Sequence, residues 1–124
     1  MTTECLKYLS EVLNTLIPYE FMQWTGKVKY PYWVGEYTEV IPVQEDGLQE
    51  STFILTGTTK GSWLELEKAK DKIQNKFPSI DGHGTTLDDG SGVVIFFSNS
   101  FPVPTGQDDL KRMQINLSIK QWKG

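Results

Sequence analysis

This chain is poor in the residues from which active sites are usually built. It holds one cysteine and one histidine among 124 residues. With Cys5 alone no intrachain disulfide can form, and a reducing cytosol is the expected setting. Cys5 falls inside a helical apolar pattern, so it reads as a small core residue rather than a nucleophile. No apolar run approaches the roughly 18 residues of a membrane span. The first residues lack the basic-then-apolar layout of a secretory leader. Cations are also scarce: 12 Lys and Arg against 16 Asp and Glu leave a net charge of −4. A surface that tracks nucleic acid normally carries a basic excess, so sequence-specific DNA or RNA binding is not expected.

The remaining chemical signals are weak. Asp81, His83, Asp88 and Asp89 lie close together, but their spacing matches no standard cation loop. Asp88-Asp89-Gly90 instead reads as turn chemistry. His83, flanked by Gly82 and Gly84, reads as a solvated loop residue. The stretch Thr56-Gly57-Thr58-Thr59-Lys60-Gly61-Ser62 precedes a helix but places its lysine before the last glycine, out of phosphate-loop order. The motifs G-x-S-x-G, H-E-x-x-H and C-x-x-C do not occur. No catalytic residue, cofactor or metal is expected.

Secondary structure is better marked. Leu6, Leu9, Leu13 and Leu16 recur at helical steps, which predicts a helix over 3–17 capped by Thr2 or Thr3 and ended by Pro18. Residues 19–31 are aromatic and read as irregular. A strand is predicted over 32–43, with Gly35 as a possible bulge, then a turn over 44–47 and a strand over 51–57. Ser62-Trp63-Leu64-Glu65 is a capping box, followed by Trp63, Leu66, Ala69, Ile73 and Phe77 on one helical face. Pro78 stops this helix. Around Asp88-Asp89-Gly90-Ser91 a hairpin is expected. The unbroken apolar run 93–97 predicts a strand covered on both faces. Residues 98–111 then read as a long connection. The last strand alternates Met113, Ile115, Leu117 and Ile119 with polar residues, which predicts one buried and one wet face.

The expectation is thus one α+β domain over 1–124: a mainly antiparallel sheet of about four to five strands with two helices on one face. The predicted order is α-β-β-α-β-β(-β).

Aromatics make up 12% of the chain, including four tryptophans, more than a small core readily hides. Exposed aromatics mark protein contacts. Trp33 and Tyr37, with Trp24, Tyr30 and Tyr32 nearby, are candidates for such a surface. So is Trp122 near the chain end. Phe101 and Val103 are apolar anchors in the expected long connection.

The chain resembles the small tail-completion or tail-terminator proteins of long-tailed bacteriophages and prophages. The resemblance spans nearly all of it. It rests on the element order and on Tyr30-Pro31-Tyr32-Trp33-Val34-Gly35-Glu36-Tyr37. It rests also on Phe53-Ile54-Leu55-Thr56-Gly57 leading into Ser62-Trp63-Leu64-Glu65-Leu66-Glu67, and on Phe101-Pro102-Val103-Pro104-Thr105-Gly106. The resemblance implies a non-catalytic virion assembly protein. Such a protein forms a ring, typically hexameric, at the head-proximal end of the tail tube and docks tail-tube and head–tail connector proteins. It implies a place in the bacterial cytoplasm during assembly and in the virion tail afterwards. The hairpin tip over 44–49, with Glu45 and Asp46, and the arm over 101–107 become interface candidates. The alternative is a small cytosolic α+β module that binds a ligand or a protein.

Overall fold

A computed structural model describes residues 1–39 and 48–122. Helix α1 (Thr3–Leu16) starts where the Thr2 hydroxyl accepts the Cys5 N–H at 3.2 Å. Its leucine stripe turns inward: Cys5, Leu9 and Leu13 are fully buried. Each such leucine contributes roughly 1.5–3 kcal/mol of hydrophobic stabilisation. The helix ends at Ile17, whose extended backbone leads into Pro18.

Strand β1 (Tyr19–Phe21) follows at once and runs parallel to β2 (Tyr32–Glu39), pairing with Trp33, Val34 and Gly35. This corrects the reading of 19–31 as wholly irregular. β2 then pairs antiparallel with β3 (Leu48–Thr59), which runs past the 51–57 expected for it. The predicted turn over 44–47 lies outside the described residues, as do 40–43. Gly35 is no bulge, since its register with Leu55 is unbroken. Its reason is space: a Cβ there would sit 2.6 Å from Phe53 and 2.7 Å from Tyr19.

Helix α2 (Trp63–Lys76) begins with the predicted capping box. Ser62 Oγ accepts from Leu64 N–H at 3.1 Å, and Glu65 Oε1 accepts from Ser62 N–H at 3.0 Å. Leu66, Ala69, Ile73 and Phe77 are buried, but Trp63 is 41% exposed because it precedes the turn that packs on the sheet. Strands β4 (His83–Thr86), β5 (Gly92–Val103) and β6 (Lys111–Trp122) complete the chain, all antiparallel.

Among the described residues the sheet has six strands in the order β1-β2-β3-β6-β5-β4, mixed by the parallel pairing of β1 with β2. The chain order is α-β-β-β-α-β-β-β; the expected four or five strands fall short by β1, whose residues read as irregular, while β4 is the first arm of the expected hairpin. α+β architecture and two helices on one face hold. That face is read off the alternation: Trp33, Phe53, Leu55, Ile95, Ile115, Leu117 and Ile119 are buried beneath the helices. Gln121 is the polar member of this face. Its amide donates to Thr2 Oγ1 at 2.8 Å and Ser91 Oγ at 3.3 Å, fastening the start of α1 to β6 and to the turn before β5.

Two further expectations change. β5 is buried on one side only, through Val93, Ile95 and Phe97; Val94 and Phe96 are half-buried on the other. And β5 does not stop at Phe97. A bulge between Phe97 and Asn99 carries it on to Val103, so the long connection shrinks to residues 104–110.

Candidate interaction surface

The face of the sheet opposite the helices is built from register. Directly opposed residues share a face, and four rows cross from β2 to β5. They are Tyr32–Thr58–Arg112–Val103, Val34–Thr56–Gln114–Phe101, Glu36–Ile54–Asn116–Asn99 and Thr38–Thr52–Ser118–Phe96. A further row sets Glu50 opposite Lys120 and Val94. Side chains knit the rows together. Asn116 Nδ2 donates to Asn99 Oδ1 at 2.8 Å, and Gln114 Nε2 donates to Asn116 Oδ1 at 3.1 Å. Lys120 Nζ lies 5.9 Å over the Phe96 ring. Neither helix covers this face.

The predicted interface residues divide between the two faces. Phe101, Val103 and Trp122 all belong to the open face, with Phe101 41% and Trp122 38% exposed. Phe101 pairs with Gln114, eight residues along β6 from Trp122, a span of about 26 Å at strand rise. Trp33 is corrected: it is fully buried under the helices, packed against Gly57. Its indole N–H has no hydrogen-bond partner among the described residues, where it contributes area and not a polar contact. Tyr37 lies on the same helix-side face and is half-buried, stacked on Phe21 at 6.1 Å. Glu45 and Asp46 lie outside the described residues.

Of the five aromatics expected to cluster near the first strand, Trp24, Tyr30 and Tyr32 meet, while Trp33 and Tyr37 lie on the helix side. Tyr32 lies 5.3 Å from Trp24 and 5.8 Å from Tyr30, ring centre to ring centre. Lys60 Nζ sits 5.7 Å over Tyr30. Met22 and Val28, in the segment that joins β1 to β2, are exposed.

His83 is not a solvated loop residue. It stands on β4, half-buried, with Nε2 2.5 Å from the Tyr8 hydroxyl and its ring edge against Phe77. Burial, and then Lys76, push its pKa below the usual 6.5. The neutral imidazole is therefore favoured, and the phenol can donate to it. A cleft of about 280 Å³ lies beside α1, lined by Tyr8, Glu4, Glu11, Thr86 and others, but not by His83. The imidazole is thus held outside the cleft by a phenol that itself lines the cleft.

Asp89 acts as the turn reading expects, accepting from Ser91 N–H at 3.0 Å and Ser91 Oγ at 2.6 Å. Those bonds hold its carboxyl below the ordinary range. Among the described residues no three His, Cys, Asp or Glu side chains converge as a metal site would require. The start of α2 is filled by its own Glu65 carboxylate. No described helix is long and apolar enough to cross a membrane.

Sequence reasoning missed the strand nature of residues 98–103 and the shared face of Phe101 and Trp122. The Ser98-Asn99-Ser100 run and Pro102 read as loop; only pairing with β6 shows otherwise. No protein-family model matches this chain, and no curated protein matches it.

Proposed function

We propose that this chain is a non-catalytic assembly subunit of a long-tailed phage or prophage virion, of the tail-completion or tail-terminator class. It acts by forming a ring, hexameric when assembled, that closes the tail tube and docks the head–tail connector. Its setting is the bacterial cytoplasm during assembly and the virion tail afterwards. One observation supports this best: a broad sheet face left open by both helices, with Phe101 and Trp122 exposed on it. Such a face suits contact with flat protein surfaces, where aromatic side chains dominate the binding energy.

Disrupting the reading frame in its parent genome tests the proposal. Electron micrographs should show heads apart from tails of irregular length. Normal virions would overturn it.

The second reading, a small cytosolic module that binds a ligand or a protein, draws support from the cleft beside Tyr8. Loss of ligand-induced thermal stabilisation in Thr86→Trp, which fills the cleft, would favour that reading instead.

A further inference from the structure

Both margins of the sheet are only half covered. β1 pairs with Trp33, Val34 and Gly35, leaving residues 36–39 of β2 with no described strand on their outer side. β4 pairs only as far as Ile95. Phe97 then donates its N–H to Phe77 O at 2.9 Å, and residues 98–103 have β6 on one side and no described strand on the other. A strand margin presents backbone donors and acceptors that an added strand can satisfy.

We propose that the free margin of β5, residues 98–103, takes the free margin of β2, residues 36–39, from a second copy of this chain, head to tail. This rests on the ring-subunit reading and names the surface by which the ring would close.

Charge selects the pairing. The β2 margin carries Glu36 and Glu39, both exposed; Glu39 is already paired with the Met1 ammonium and accepts from Gln49 Nε2, which leaves Glu36 as the available acid. Residues 98–103 carry no charge. Two cations stand beside them: Arg112 is the register partner of Val103, and Lys120, which has no ion pair among the described residues, lines a groove of about 370 Å³ with Phe96 and Ser98. Two β2 margins together would set carboxylate against carboxylate, which is destabilising. Two β5 margins would bring the same cations together with no acid between them. Only β2 against β5 brings acid to base.

Apolar contacts flank the same margin. Phe101 is 41% exposed, and Ile80, next to the groove residue Ser79, is 90% exposed. Pro102 is compatible, since proline is tolerated on edge strands. The two margins lie at opposite sides of the strand order. Contact between them therefore uses a different surface on each copy, and such contacts make rings when the rotation closes.

A Thr38→Cys/Ser98→Cys double variant treated with a short bismaleimide tests the pairing. Cys5 is buried, and the unmodified chain serves as the control. The expected product is a ladder of linked species that the single variants do not give. Linked dimers from either single variant would show like margins meeting and overturn the proposal. Rings seen by native mass spectrometry without a ladder would overturn the margin assignment and leave the ring reading standing. A ladder without a closed ring would do the reverse. Neither ladder nor ring would overturn both. As a second variant, Lys120→Glu should weaken assembly about tenfold, and adding Glu36→Lys should restore it. No change in Lys120→Glu would remove the electrostatic argument.

Discussion

Gly57 lies flat against the indole of Trp33: a Cβ built on Gly57 would come within 2.5 Å of Trp33 Cζ2. The two are also register partners on β3 and β2. Trp33 is fully buried beneath the helices and has no room to retreat. The glycine is therefore required for space.

Gly57→Ala should accordingly destabilise the fold by overpacking, by about 1–3 kcal/mol. Urea unfolding followed by the fluorescence of the buried tryptophan checks it. An unchanged midpoint would show that the indole can shift.

The capping box at the start of α2 predicts a second loss. Ser62→Ala removes the acceptor for the Leu64 N–H and should cost about 1 kcal/mol. Ser62→Asp keeps an acceptor and should retain most of the stability. Equal losses in both variants would count against the capping role.

The Tyr8–His83 pair sets a pH dependence. The folded imidazole has its pKa held below the usual 6.5 by burial and then by Lys76. Below pH 6.5 the unfolded chain takes up this proton more readily than the folded one. This contribution is complete above pH 6.5 and is lost as pH falls from there toward the folded value. Asp89 titrates in a separate, lower window, because its ordinary value is 3.8 and the fold lowers it. Urea midpoints at about pH 7.5 and about pH 5 should fall more for the unmodified chain than for His83→Gln. Equal falls would show that His83 does not carry the effect.

Cys5 gives a probe of global opening. Burial pushes its thiol up to about 11, and the side chain has no exposed surface. Iodoacetamide at about pH 8 should therefore react only through unfolding, at a rate that climbs with urea. Rapid labelling of the native protein would contradict the packing of α1 on the sheet.

Much of this fold is readable from local pattern. The leucine stripe of α1, the Ser62–Glu65 capping box and the alternation from Met113 to Ile119 all act within one element, so the sequence carries them. What it hides is set by pairing across the chain. Tyr19-Glu20-Phe21 is too short to show a period, and it is a strand only because β2 lies alongside. Trp33 and Tyr32 look alike in sequence, yet parity puts Trp33 under the helices and Tyr32 on the open face. The grouping of Phe101 with Trp122 on one face depends on a bulge between Phe97 and Asn99 that no local signal announces.

The ring is the centre of the functional account, and native mass spectrometry across a concentration series tests it most directly. The protein would be measured alone and with phage tail tubes, the partner that the proposed role assigns to it. The account predicts a closed ring, hexameric, growing in with concentration or on addition of tubes. A strict monomer under both conditions would contradict it and turn attention to the cleft beside Tyr8.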